Sequence, residues 1–207
     1  MAKLKILVIA HDSQMGGAQR SLLGVLTQID KMRFDMLVVA PTPGPFVEEV
    51  RRLNIERFFG LSQRLVFFRK ASSWRGYLGN LWALIRHPYP MTFLSTLTFP
   101  LRIIVLAILA KKKRIDLVYT NTITCADGAV VAKLLKIPHV WHLRETIIGN
   151  NDIQFPYSAN KYVRCIANMS SNVIVNSEYL AKELFSDDWQ AKKIHIIHNG
   201  VNISELN

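Results

Sequence analysis

Leu4-Lys-Ile-Leu-Val-Ile-Ala-His-Asp-Ser-Gln-Met-Gly-Gly-Ala-Gln-Arg-Ser-Leu-Leu-Gly-Val-Leu26 decides the fold. Ile6–Ala10 is an unbroken apolar run of the length of a buried strand. From about Ala18, Leu22, Leu26 and Ile29 recur at i, i+4, i+7 with Leu23 beside them, which is one face of a helix. A polar loop holding Gly16 and Gly17 joins the two. The same alternation continues along the chain. Strands are expected at Phe34–Ala40, Ile55–Phe59, Ile115–Thr120, Pro138–His142, Val173–Asn176 and Ile194–His198. Helices fall between them, at Phe46–Leu53, Asp127–Leu135, Tyr157–Met169 and Glu178–Phe185. Short apolar strands separated by helices predict an α/β fold, a Rossmann-like and mostly parallel sheet with helices on both faces. Ligands of such sheets bind beyond the carboxyl ends of the strands.

A chain of 207 residues, half of them apolar, is long enough for one sizeable core and too apolar for disorder. Cys125 and Cys165 have neither metal-type spacing nor the number for a disulfide framework and read as reduced thiols. The apolar run after Lys5 stops at His11 after about five residues, short of the roughly 7–15 of a secretory signal. Ile103–Ala110, ahead of Lys111-Lys-Lys-Arg114, is far short of the roughly 20 residues of a membrane span. It reads as a core helix whose terminal cations complement the helix dipole.

The net charge of +11 is concentrated. From Arg57 to Arg114 there is no acidic residue, and eleven of the 26 basic residues lie there; the other fifteen match the fifteen acids of the chain. An insert at about 61–100 interrupts the strand–helix rhythm. In it Trp74, Tyr77, Leu78, Leu81, Trp82 and Ile85 form one helical face, with Ser73 placed as N-cap and Arg69, Lys70, Arg75 and Arg86 beside or opposite. Such a helix suits the interface of an anionic bilayer; the alternative is that its face packs on the protein's own sheet. Aromatics at helical spacing do not make a base-stacking platform, so no nucleic-acid partner is expected.

Polar residues cluster where strands should end. Gly16 and Gly17 let backbone N–H groups approach a phosphate or sugar oxygen at a helix start, with Gln19 one turn in. The loop matches neither the dinucleotide nor the Walker pattern. Asn121 and Thr122 end one strand and can read hydroxyls. After the next come His142, a hydrogen-bonding partner for a sugar hydroxyl, Arg144, a fork for phosphate, and Glu145, which can orient either; a solvated turn is the plain alternative. His139, His195 and His198 read as structural. No zinc spacing, Ser-His-Asp order or carboxylate pair stands out.

Lys5-Ile-Leu-Val-Ile9, Gly16-Gly-Ala18, Leu22-Leu23, Asp116-Leu-Val-Tyr-Thr-Asn121, Val140-Trp-His-Leu-Arg144, Val173-Ile-Val-Asn-Ser-Glu178 and Ile197-His-Asn-Gly-Val201 fall in the order of successive blocks. Together they resemble the amino-terminal half of the glycosyltransferase family 4 group, which has the two-domain GT-B architecture. The resemblance covers nearly the whole chain outside the insert. It implies residues 1–198 as an acceptor-binding domain and 199–207 as the start of an interdomain linker. The donor-binding domain, with its E-x7-E pair, is absent from these 207 residues, and the chain alone is expected to be inactive.

The activity implied is retaining transfer from a nucleotide sugar, which is a co-substrate, with no cofactor and no metal. The Gly-Gly loop would lie against the donor diphosphate and acceptor, and His142 would position the transferred sugar. Gln19 stands where the group commonly has Glu. Several members act on lipid-linked acceptors at the cytoplasmic face of a membrane. The implied partners are therefore a sugar or lipid-linked acceptor and an anionic membrane surface, with nucleotide sugar bound only alongside a second domain. The implied location is cytoplasmic and peripheral. A non-catalytic membrane- or partner-binding module is the alternative reading.

Overall fold

The computed structural model describes residues 2–59, 90–146, 159–185 and 193–200. The strands are β1 (Leu4–Ile9), β2 (Phe34–Ala40), β3 (Glu56–Phe59), β4 (Leu117–Thr120), β5 (His139–Leu143), β6 (Asn172–Val175) and β7 (Ile194–Ile196). The helices are α1 (Gly17–Gln28), α2 (Pro45–Arg52), α3 (Pro90–Lys113), α4 (Asp127–Leu135), α5 (Ala159–Met169) and α6 (Glu178–Phe185). All strands pair in parallel in the order β3-β2-β1-β4-β5-β6-β7. The order reverses between β1 and β4, so the ligand crevice of this topology opens beyond the ends of those two strands.

Strand alternation sorts the core. Ile6 and Val8 of β1, with Ala10 just beyond it, face α1 and α2, packing with Leu22, Leu26, Phe46, Val47 and Val50. Leu7 and Ile9 face the opposite layer, with Leu106 and Ala110 of α3 and Val131 of α4. Trp141 and Leu143 of β5 continue that layer against Tyr162 of α5 and Leu180 and Leu184 of α6. Both faces of the central strands are buried, which is why β1 and β2 read as continuous apolar runs.

Three helix-to-strand turns share one device. Asn54, Arg114 and Lys136 take positive φ (56°, 55° and 57°). The N–H of the next residue then returns to the carbonyl five back: Ile55 to Val50, Ile115 to Ala110, Ile137 to Ala132. This is the Schellman arrangement, and its isoleucines enter the core. It also explains why β4 begins at Leu117 rather than Ile115. Ile115 closes the helix, and Asp116 binds the backbone of Lys5 through its own N–H (2.9 Å) and Oδ2 (2.8 Å).

α3 departs most from expectation. It starts at Pro90, inside the stretch read as insert, and passes through Pro100. Proline removes one ladder hydrogen bond, and here it lies on the exposed side, where water can take the freed carbonyl. Among the described residues no helix is long and apolar enough to cross a membrane. α3 is tied to α4 by a buried ion pair, Arg102 Nε to Asp127 Oδ1 at 2.8 Å, and the guanidinium also lies 5.3 Å from the Phe99 ring centre.

Candidate active site

α1 begins with no side-chain cap and no acidic residue in its first turn, leaving its leading N–H groups available to an anion. A Cβ built on Gly17 meets nothing within 4 Å, so the protein's own packing does not demand glycine there. The preceding loop is held in place. Ser13 Oγ donates to the Thr42 carbonyl at 2.5 Å, and Phe46 N donates to the Ser13 carbonyl at 3.0 Å. Gly44 is required for that approach, since a Cβ on it falls 2.6 Å from the Ser13 carbonyl oxygen. Gln19 is buried, its amide 3.4 Å from His11 Nδ1 and from the Asp12 carbonyl.

Asn121, Thr122, His142, Arg144 and Glu145 converge on the same edge from the ends of β4 and β5. Alternation puts Tyr119 and Asn121 on one face of the sheet with His142 and Arg144. Arg144 is the hub. Its Nε donates to Asn121 Oδ1 (2.9 Å), and its Nη1 donates to Ser21 Oγ (2.5 Å) and Asn199 Oδ1 (2.6 Å). Its Nη2 lies 3.3 Å from His142 Nδ1. Asn121 Nδ2 donates to the Ala18 carbonyl (3.0 Å), and Ser21 Oγ donates to Asn199 Oδ1 (2.8 Å). One guanidinium thus joins β4, β5, α1 and the segment after β7.

Thr122 and Glu145 are turned to internal use. Thr122 is fully buried, its hydroxyl donates to Glu145 Oε1 (3.1 Å), and Ile123 N donates to Glu145 Oε2 (3.3 Å). They shape the loop beyond β4 and present no free group to a ligand. Glu145 is then unavailable as an ion-pair partner, and among the described residues no carboxylate lies within bonding distance of Arg144. Arg144 hydrogen-bonds neutral groups only, and its charge lies beside the open start of α1, with Glu145 near enough to act on it but not bonded to it. Burial lowers its pKa, and the neighbouring Tyr119 and Glu145 oppose that shift.

His142 is 4% exposed, with Tyr119 Oη 2.5 Å from Nδ1. Its Nε2 is buried and has no hydrogen-bond partner among the described residues. Burial first, and the Arg144 charge second, push its pKa down to about 3, so the ring is neutral at pH 7. His139, on the opposite face, is also held down to about 3 by burial, but both its nitrogens are occupied. Its Nε2 meets Thr120 Oγ1 (2.9 Å) and its Nδ1 meets Ser170 Oγ (3.1 Å), the structural role its strand position implied. His195 pairs with Asn172 and His198 with the Asn176 carbonyl.

Three members of this network carried no signal as single residues: Tyr119, Ser21 and Asn199. Tyr119 is two residues before Asn121, so a period-2 count would have placed it on the same face. Arg69, Lys70, Trp74, Arg75, Tyr77, Trp82 and Arg86 lie outside the described residues.

A comparison with curated proteins finds no match. Among solved structures, Alr3699/HepE from Anabaena, crystallised with UDP and glucose, is similar at 21% identity and TM-score 0.63 over 97% of this chain and 46% of that one. A glycosyltransferase from Rickettsia africae is similar at 16% identity and TM-score 0.58, covering 100% and 46%. MurG from Acinetobacter baumannii follows at 14% and 0.51, covering 86% and 42%. These likenesses show the fold, that of the amino-terminal domain of GT-B enzymes, and the chain spans less than half the length of each. The model of Glycosyltransferase Family 4 matches residues 15–205, nearly the whole chain, and the chain belongs to that family.

Proposed function

We propose that this chain forms the acceptor-side half of a retaining, nucleotide-sugar-dependent glycosyltransferase. The observation that carries the reading is the unpartnered His142 Nε2 at the carboxyl edge of β5, next to an uncapped helix start and an arginine with no ion-pair partner among the described residues. A nucleotide sugar presents both chemistries this edge lacks: hydroxyl oxygens for His142 and a diphosphate for the α1 N–H groups and the field of Arg144. Similar folds have been crystallised with UDP and glucose and with UDP-glucose. In transfer, charge develops on the departing diphosphate, and fixed N–H dipoles stabilise it without reorganising. The remaining nucleotide contacts would come from a second domain. No resident cofactor is required.

The acceptor we infer is lipid-linked or an envelope polysaccharide, reached at an anionic membrane surface on the cytoplasmic side. The acid-free, aromatic sequence from Arg57 to Arg114 supports this. So does α3, which exposes Leu101, Ile104 and Ile108 along one stripe leading to exposed Lys111, Lys112 and Arg114.

The test is to express the reading frame continued past the Asn207 codon. Sugar transfer from UDP-glucose and other nucleotide sugars to extracted membrane lipids is then measured, and the anomeric configuration of the product is read by NMR. Transfer with retention, lost in His142→Ala, is expected; inversion, or full activity in that variant, overturns the reading. Binding to phosphatidylglycerol vesicles should be lost in Trp74→Glu plus Trp82→Glu. Vesicle binding without transfer would favour a membrane-docking module.

A further inference from the structure

We propose that Tyr119 is a positioning residue: its hydroxyl, beside the Arg144 guanidinium at His142 Nδ1, donates to that nitrogen and fixes the imidazole as the Nε2–H tautomer, a one-way donor to a ligand oxygen. The assignment follows from which atoms can carry protons. A guanidinium has donors and no lone pair. Arg144 Nη2 sits 3.3 Å from His142 Nδ1, and the Tyr119 hydroxyl sits 2.5 Å from the same atom. A donor-only guanidinium beside Nδ1 leaves that nitrogen as an acceptor, so the Tyr119 hydroxyl donates its single proton to it. The reverse tautomer would set an imidazole N–H against a guanidinium N–H and strand the phenol proton in a buried site.

With Nδ1 occupied, the ring proton is on Nε2, the atom with no partner among the described residues. His142 then cannot accept a proton from a ligand: one nitrogen has its lone pair engaged and the other is already protonated. It can only donate, to a hydroxyl or phosphoryl oxygen. Tyr119 is nearly edge-on to the ring, with planes at 88° and centroids 5.9 Å apart, so its influence passes through the hydroxyl and not through stacking. The ligand-facing consequence rests on the function proposed above, whereas the tautomer exists without ligand, so the two fail separately.

The experiment is a long-range proton–nitrogen correlation spectrum of the 207-residue chain labelled with 15N-histidine. His142 is assigned by its absence in His142→Gln. A single species with protonated Nε2 and bare Nδ1 is expected. In Tyr119→Phe, where only the longer Arg144 contact remains at Nδ1, the Nδ1 resonance should shift as the short hydrogen bond is lost, while His139, bonded to Thr120 and Ser170, keeps its pattern as an internal control. A wild-type His142 protonated at Nδ1 overturns the proposal whatever the variant does. So does a folded Tyr119→Phe variant whose His142 pattern is unchanged.

Discussion

Mild acid should destabilise this domain, and two buried histidines set the size of the effect. His139 and His142 are 1% and 4% exposed, and each is held down to about 3. In the unfolded chain each titrates near 6.5. Above that value neither state binds the proton, and the native state keeps its full stability. As pH falls below about 6.5, the unfolded chain takes up two protons that the folded chain refuses, so stability drops until the folded pKa near 3 is passed. At pH 5 each histidine has cost about 2 kcal/mol, or about 4 kcal/mol together, against a total of roughly 5–15 for a domain. Urea unfolding followed by circular dichroism at pH 7.5, 6.5, 5.5 and 5.0 checks it. Between pH 6 and 4.5 the slope should approach that of two protons, roughly 3 kcal/mol per pH unit, and His142→Gln should remove about one of them. A total loss under about 1 kcal/mol by pH 5, or a slope untouched by that substitution, would refute the reasoning.

Other substitutions test packing and the site. A Cβ on Gly128 would fall 2.2 Å from Thr120 Oγ1, the atom that holds His139, so Gly128→Ala should lower stability by about 1–3 kcal/mol in a urea titration. Asp127→Asn leaves Arg102 buried without its counter-charge and should cost about 3–5 kcal/mol, read as a lower urea midpoint at pH 7.5. Gly17→Ala adds a methyl where nothing in the protein lies within 4 Å, so stability should rise by up to about 1 kcal/mol. On the function proposed above, the same change should weaken nucleotide-sugar binding by the two-domain protein, read by calorimetry, because the methyl would enter the ligand's space.

The sheet was legible because each strand is a short apolar run bounded by polar residues, as Phe34–Ala40 and the helix Asp127–Leu135 illustrate to the residue. Strand ends were less so. Pro138–His142 became His139–Leu143, because Pro138 contributes only its carbonyl, to Val118 N. The start of α3 was hidden by Pro100, which sequence logic treats as a helix stop, but which the exposed side of a long helix tolerates. In the site, the strand-end residues were found from position alone. Their division of labour was not, since it depends on partners far apart in the chain, such as Ser21 and Asn199. Nothing local distinguishes Thr122, turned inward to Glu145, from a hydroxyl facing a ligand.

The site combines two kinds of polar group, and the difference indicates where a ligand would act. Asn121, Ser21, Thr122 and Glu145 are bonded to one another, to the backbone, or to Asn199 and Arg144, which makes them a scaffold. His142 Nε2 stands apart: a buried donor left without a partner costs about 1–3 kcal/mol. Water or a ligand oxygen relieves that cost, and a ligand that also carries negative charge gains from the Arg144 cation, which hydrogen-bonds neutral groups only. The second gain depends on Glu145. Were its carboxylate free to swing onto Arg144, the positive field would be cancelled at its source. Thr122 Oγ1 and Ile123 N bond both carboxylate oxygens and keep them from pairing with Arg144, so a loop that offers no group to a ligand still moderates the charge the ligand meets.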